Sequence, residues 1–214
     1  EYDEARFQRR MAEHLGSEHR EVVVSRRDIA AVFPDVVAHA ESPLLRTAPA
    51  PMFVLSRLVH ESGIKVVITG EGADEWFAGY DLFREARVRR FWARRPGSAI
   101  RPRLLERLYP WLARSPVMQG AMSHRFFGQD LARWREPGFG HGLRWRSAAA
   151  LRRLMAPALR DALADADPAA ELLADLPADF RRWSFLSQDQ YLEIRTLLSS
   201  YLLSSQGDRM LMAH

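Results

Sequence analysis

The sequence predicts an α/β fold that becomes mainly helical in its C-terminal half. Two runs of β-branched residues, Val22–Val24 and Val66–Ile68, are typical of buried parallel strands. Helical patterns precede and follow both runs, which is the order expected of a parallel sheet covered by helices. Beyond residue 95 only helical patterns continue. We therefore expect an α/β portion over residues 1–95 and a mostly helical continuation of the same domain over residues 96–214.

Composition limits the possible classes of protein. With 214 residues, of which 47% are apolar, the chain is one domain or a large piece of one. The absence of cysteine excludes disulfides and thiolate metal sites. No apolar stretch is long enough for a membrane helix and the N-terminal residues are not a signal peptide, so we expect a cytoplasmic protein.

Charge gives little support for a nucleic-acid partner. The net charge is +4, and only one of the 31 basic residues is a lysine, Lys65. The arginines are scattered among 27 acidic residues instead of forming a basic run. Arginine pairs with carboxylates as readily as with phosphates, so we do not expect nucleic-acid binding.

The chain begins with two predicted helices around the first predicted strand. Asp3–Leu15 is amphipathic and ends at Gly16, which suits the position after a helix. Arg26–His39 follows the strand, with Ser25 as its N-cap and Pro34 as a distortion. The apolar face of the first helix consists of Phe7, Met11 and Leu15.

A proline-rich segment and a third helix lead to the second predicted strand. Glu41–Met52 contains three prolines and is not expected to form a regular helix. Phe53–Glu61 is helical and is ended by Gly63. Arg46, inside the proline-rich segment, is either a surface arginine in a structural salt bridge or a clamp for a ligand carboxylate.

The central stretch is Lys65–Tyr80, which combines a strand, a T-G-E-G turn and the start of a helix over Ala73–Ala78. Such a turn lies at the carboxyl edge of a sheet, where ligands of open α/β sheets bind. Gly70 and Gly72 let a ligand approach the backbone closely. Glu71 has no apolar neighbour, which favours a functional role. The alternative is an ordinary connection in which Asp74 caps the helix.

The remainder is predicted to be helical. Leu82–Arg95 is a long helix whose charged residues form a solvated face, and residues 96–146 are short helices broken by loops. His124 and His141 have no ligand-spaced partner and are interpreted as structural. Short helices over 147–175 and a longer one over Ser184–Ser204 complete the chain.

Three segments resemble the asparagine synthetase family in order and spacing. V-I-T-G-E-G-A-D-E-W-F-A-G-Y is similar to the family's S/T-G-E-G-x-D-E-x-x-x-G-Y segment. E-S-P-L-L-R resembles its acidic-residue segment before an S-R helix. D-R-M-L-M-A, which begins at Asp208, resembles its D-R-x-x-M-A segment.

The resemblance implies a fold and a reaction. The fold is adenine-nucleotide α-hydrolase-like, with the Rossmann-like sheet of the ATP pyrophosphatases. The reaction is ATP-dependent amide formation, in which aspartate becomes β-aspartyl-AMP and ammonia then gives asparagine. ATP and Mg²⁺ are required, and an N-terminal glutaminase domain supplies ammonia from glutamine. The nucleotide-binding portion would be residues 1–95.

The resemblance also implies roles for five residues. Thr69, Gly70 and Glu71 would bind the nucleotide, and Glu71 would also be catalytic. Asp74 would be a ligand of Mg²⁺. Arg46 would bind the substrate aspartate. Pro43 and Leu44, just before Arg46, stand where some members have threonines. Contacts made by those threonines are therefore not expected.

Several family elements are missing from the sequence. It contains no S-G-G-x-D-S loop, no cysteine nucleophile and no lysine after a P-F-L-D segment. We therefore expect an internal fragment of the C-terminal synthetase domain that is inactive alone. Two alternatives remain open at this stage: a related amidotransferase or ligase of specialised metabolism that acts on another carboxylic acid, and a non-catalytic interaction module.

Overall fold

The computed structural model describes residues 4–111 and 120–214, and within these ranges it contains helices and loops without a strand. They belong to two compact units. The first unit comprises Glu1–Thr69 and Tyr201–His214, and the second comprises Gly70–Ser200.

The α-helices of the described residues are α1 (Ala5–Leu15), α2 (Arg26–Ala40), α3 (Pro49–Glu61), α4 (Ala73–Phe77), α5 (Asp81–Ala93), α6 (Arg103–Leu108), α7 (Ala121–Phe127), α8 (Gly142–Ala149), α9 (Pro157–Ala162), α10 (Pro168–Ala174), α11 (Phe185–Glu193) and α12 (Arg209–Leu211). Short 3₁₀ helices cover Leu131–Arg133, Ala150–Leu154 and Phe180–Arg182, and a π-helical stretch covers Ile194–Asp208. None of these helices is both long and apolar enough to cross a bilayer.

In the first unit α2, α3 and α12 pack together. Their contact buries an apolar cluster, to which the C-terminal segment contributes Met210; the other buried members are Val36, Ala40, Ala50 and Phe53. The predicted Ser25 cap is confirmed, because the Asp28 N–H donates to Ser25 Oγ and the Ser25 N–H donates to Asp28 Oδ2. Packing by α2 and α3 thus positions the loop that carries Arg46.

The prediction of buried strands at Val22–Val24 and Val66–Ile68 does not hold in this structure. Both runs are loops, and no strand lies beside them among the described residues. Val23 is 83% exposed and Ile68 is 97% exposed. A strand is stable only when neighbours satisfy its backbone groups and cover its apolar side chains, and the described residues supply no such neighbours.

The third helix starts earlier than predicted. It begins at Pro49 instead of Phe53, so the expectation that all of Glu41–Met52 is irregular is wrong. Pro49 and Pro51 lie in the first turn, where backbone N–H groups have no partner inside the helix. Proline at these positions therefore removes no hydrogen bond, and its fixed φ suits a helix start.

The second unit is built around α5. The apolar core of this unit contains Trp92 of α5, and α5 packs on α6, on α11 and on the 3₁₀ helix Leu131–Arg133. Other buried members of the core are Leu105, Tyr109, Phe127, Phe139 and Leu143. The predicted short helices of residues 96–146 and 147–175 are confirmed over the described residues.

The charged residues of α5 do not all form a solvated face, so that prediction is wrong. Glu85, Arg89 and Arg90 are buried. Arg89 donates to the carbonyl oxygens of Phe127, Gln129 and Phe139, and burial lowers the pKa of its guanidinium to about 10. A buried charge is tolerated when its donors are satisfied in this way.

Two further pairs bury charge near α11. Arg90 forms two hydrogen bonds with Asp189, of 2.5 and 3.0 Å. His141 Nε2 lies 2.8 Å from Glu193 Oε2, and both residues are buried. These pairs connect α5 and the start of α8 to α11.

Candidate functional site

The G-E-G turn leads directly into α4. The Ala73 N–H donates to the Gly70 carbonyl at 3.1 Å, and the Trp76 N–H donates to the Gly72 carbonyl at 2.9 Å. Gly72 has φ +96, which disfavours residues with a side chain. A Cβ added to Gly70 would meet no atom within 4 Å. The backbone at Gly70 is therefore open to a ligand.

Glu71 lies between these glycines and is partly buried. The N-cap of α4 is Gly72, and no side chain caps the helix. Asp74 lies inside the first turn, so the alternative in which Asp74 is the N-cap is wrong. Carboxylates in a first helical turn are favoured by the helix dipole.

The D-E-x-x-x-G-Y part of the motif folds back on α4. The Gly79 N–H donates to the Asp74 carbonyl at 2.9 Å, and a Cβ on Gly79 would overlap Asp74 Oδ1. Tyr80 donates its hydroxyl hydrogen to Glu75 Oε1 at 2.9 Å, and Glu75 is 1% exposed. Burial and the neighbouring Glu75 carboxylate raise the pKa of Tyr80, so Tyr80 remains a donor.

Two residues of the C-terminal helical region support the same turn. Gln190 of α11 donates to the Trp76 carbonyl at 2.6 Å. Leu198 packs under Gly72, where an added Cβ would lie 3.3 Å from its Cδ2. The turn that presents Glu71 is thus held from both ends of α4.

Arg46 lies in the first unit, in the exposed loop between α2 and α3. Its guanidinium carbon is 5.6 Å from the centre of the Tyr201 ring. No carboxylate lies within 4 Å of Arg46 in the part of the chain that the structure describes, so the structural salt bridge is not formed there. The guanidinium donors are available to a ligand.

The predicted site residues fall into two groups. Gly70, Glu71 and Asp74 lie together in the second unit. Thr69 and Arg46 belong to the first unit, and Thr69 is exposed.

The family comparison covers the whole chain. A model of the asparagine synthase family matches residues 1–214. The chain belongs to the asparagine synthase family. The resemblance inferred from the three motifs is therefore confirmed.

Similar proteins match over shorter segments. The chain is 46% identical to Amidase chyE of Penicillium rubens over 82 residues, which are 38% of this chain and 12% of that protein. It is 42% identical to the glutamine-hydrolyzing asparagine synthetase 1 of Arabidopsis thaliana over 78 residues, which are 36% of this chain and 13% of that protein. A putative asparagine synthetase of Mycobacterium tuberculosis is 39% identical over 74 residues, 35% of this chain and 11% of that protein. No solved structure matches the chain.

The carboxylate that the resemblance assigns to Mg²⁺ is Asp74. Asp74 is exposed and lies four residues after Gly70, where an added Cβ would meet no atom within 4 Å. The described residues contain no cluster of three or more His, Asp or Glu side chains. Mg²⁺ bound to nucleotides commonly uses one or two carboxylates and takes its other ligands from phosphate and water. A single carboxylate at this position is compatible with such a shared site.

Sequence reasoning missed Tyr201 and Gln190. Both residues fall within the helix predicted over Ser184–Ser204, and neither belongs to one of the motifs. The D-R-M-L-M-A segment that follows Tyr201 resembles a family motif, but it did not indicate either side chain.

Proposed function

We propose that this chain is the part of an amide-forming ligase that activates a carboxylic acid with ATP. The acid is aspartate, the intermediate is β-aspartyl-AMP and the product is asparagine. The observation that carries the proposal is the G-E-G turn, which presents a carboxylate between two glycines at the start of α4. Membership of the asparagine synthase family supports it.

The reaction has two steps. An aspartate carboxylate oxygen forms a bond to the α-phosphorus of ATP, and pyrophosphate leaves. Ammonia then forms a bond to the acyl carbon, loses a proton, and AMP leaves with the carboxylate oxygen. The chain supplies the open backbone of Thr69 and Gly70 for AMP, and Arg46 for the substrate carboxylate. Glu71 contacts the nucleotide and accepts the proton from the attacking amine.

Mg²⁺ would be held by Asp74 and would reduce the repulsion between the carboxylate and the phosphates. Arg46 contributes to the same end, because its planar fork can bind a carboxylate through two hydrogen bonds. Asp74 and Arg46 thus bind and orient the two anions, and Glu71 accepts the proton from the amine.

In this proposal the chain acts within a longer protein that includes a glutaminase domain as the source of ammonia. The aligned segments span only 11–13% of the three relatives named above. The exposed apolar runs at Val22–Val24 and Val66–Ile68 would then be strands of a Rossmann-like sheet, paired with strands outside the described residues.

The test replaces Glu71 by glutamine in the longer protein. Glutamine keeps the size of the side chain but cannot accept the proton, so asparagine formation should fall about 10²-fold or more. Glutamine hydrolysis in the separate glutaminase domain should continue, uncoupled from synthesis, and thermal unfolding of the variant and wild type compares their stability. Glu18→Gln, an exposed change remote in sequence, is the control. Asparagine formation within twofold of the control, at matched stability, would show that Glu71 is not catalytic and that the turn only connects two elements.

A second candidate is the same chemistry on another acid. Two relatives carry the name amidase: Amidase chyE, and Amidase chry2 of Gibberella zeae, which is 40% identical over 82 residues. Pro43 and Leu44 near Arg46 also depart from the family pattern. Pyrophosphate release measured with a series of carboxylic acids separates the two candidates, since the true acid alone gives strong, saturable release.

A further inference from the structure

The loop that carries Arg46 is attached to the C-terminal helical segment by two contacts. The Leu45 N–H donates to the Tyr201 hydroxyl oxygen at 3.2 Å. Arg209 Nη1 lies 2.7 Å from Glu41 Oε2. Both contacts join residues more than 150 positions apart in the sequence, and all four residues belong to the first unit.

The start of this loop has an uncommon conformation. Glu41 is the C-cap of α2 and has φ +49, a left-handed value that glutamate rarely adopts. The Arg209 pair holds Glu41 there, but both side chains are substantially exposed, and exposed ion pairs contribute little. Tyr201 is therefore the stronger candidate for fixing the part of the loop next to Arg46.

Tyr201 contacts the loop in two ways. Its hydroxyl accepts the Leu45 N–H, and the face of its ring lies 5.6 Å from the Arg46 guanidinium. A guanidinium over a ring is attracted by the negative face of the π-system. A contact with a ring face does not consume the guanidinium N–H donors in hydrogen bonds, whereas a salt bridge would occupy them.

We propose that Tyr201 is a positioning residue that holds Arg46 ready to bind the carboxylate of the acid substrate. An exposed arginine samples many rotamers and loses that freedom when it binds a ligand. Restricting it beforehand on the Tyr201 ring lowers this cost. The D-R-M-L-M-A segment supports the same loop, because Met210 is buried in the core and Arg209 pairs with Glu41. This inference rests on the assignment of Arg46 under the proposed function.

The test is a titration of the folded chain with L-aspartate, followed through the Nε–H signal of Arg46 in nuclear magnetic resonance spectra. Wild type should show a saturable shift. Tyr201→Phe keeps the ring but loses the acceptor for Leu45, and should weaken binding by a few fold. Tyr201→Leu removes the ring as well and should weaken it about tenfold. If Tyr201 only stabilised the fold, folded Tyr201 variants would bind aspartate with the same affinity as wild type.

Tyr191→Phe is the matched control, since Arg195 lies 5.8 Å from the ring of Tyr191 and donates to its hydroxyl at 3.3 Å in the second unit. It should bind aspartate as wild type does. Arg46→Lys has no Nε–H to report, so its affinity for aspartate is measured by isothermal titration calorimetry beside wild type and Tyr201→Leu, and it should lose binding. Equal affinity in Tyr201→Leu and wild type, with loss in Arg46→Lys, would overturn this inference alone. Unchanged binding in Arg46→Lys, or no saturable shift in wild type, would overturn the Arg46 assignment and this inference with it.

Discussion

At the scale of single residues, the main feature that could not be predicted from the sequence is the burial of charged side chains in the second unit. Arg90 and Asp189 are both almost fully buried and form two hydrogen bonds with each other. The Arg90 guanidinium lies 5.4 Å from the Phe139 ring and 4.7 Å from the Phe185 ring. A buried pair adds little net stability, but removal of one partner leaves an uncompensated charge.

Asp189→Ala should therefore lower the free energy of unfolding by about 3–5 kcal/mol. The control is Asp81→Ala. Asp81 is the ion-pair partner of Arg84, an exposed arginine on α5, the helix that also carries Arg90. That change should cost no more than about 1 kcal/mol, as is usual for surface pairs. Urea unfolding of the two variants checks the prediction. Equal losses would mean that the Arg90–Asp189 pair does not carry the stability assigned to it.

At the scale of elements, the conformation of the G-E-G turn depends on how α4 is closed by the residues after it. Gly79 lies directly against Asp74, and Tyr80 reaches back to the buried Glu75. The D-E-x-x-x-G-Y spacing thus has a structural role of its own in closing α4. In its observed rotamer the Asp74 carboxylate occupies the space that a Cβ at position 79 would need.

Gly79→Ala should displace the Asp74 side chain and loosen α4. In the longer protein we expect asparagine formation to fall several-fold or more, because Glu71 and Asp74 are both carried by this turn. Gly97→Ala is the control, since a Cβ there would meet nothing within 4 Å. The readouts are product formation and amide hydrogen exchange at Ala73 and Trp76. Exchange and activity equal to those of Gly97→Ala would contradict the structural role of Gly79.

The start of α2 gives a prediction for pH. Two hydrogen bonds hold the pKa of the Asp28 carboxyl below its ordinary value. The larger effect comes from the Ser25 hydroxyl and the smaller from the Ser25 N–H. The stability from this cap is therefore present above the unfolded-state pKa and is lost as pH falls through the lower folded-state pKa.

Ser25→Ala should lower stability at neutral pH by about 0.5–2 kcal/mol. The difference from wild type should shrink in acid, where Asp28 is protonated in both proteins. Thermal unfolding of both proteins across the acidic range measures it. A difference that stays constant with pH would show that Asp28 takes no part in the cap.

At the scale of the whole molecule, the sequence predicted what depends on local chemistry. The end of α1 and the starts of α2 and α4 followed from Gly16, Ser25 and the G-E-G turn, because caps and turns are set by adjacent residues. It did not predict the burial of Arg89 or Arg90, since burial depends on acceptors supplied by residues 38 to 99 positions away. Tyr201 was missed for the same reason.

The runs at Val22–Val24 and Val66–Ile68 show a different limit. Their composition favours strands, but a strand forms only beside another strand, so composition alone could not decide the outcome. The positions of Gly70, Glu71 and Asp74 in one turn were predictable because they are neighbours in sequence. The place of Arg46 against Tyr201 was not.

The central claim is that the acid is activated as an acyl-adenylate. The most direct measurement uses aspartate with heavy oxygen in its side-chain carboxylate, incubated with the longer protein, ATP, Mg²⁺ and glutamine. The account predicts that one labelled oxygen appears in the phosphate of AMP, because that carboxylate oxygen attacks the α-phosphorus and leaves with AMP. Label in inorganic phosphate, or asparagine formed with no label in AMP, would contradict it.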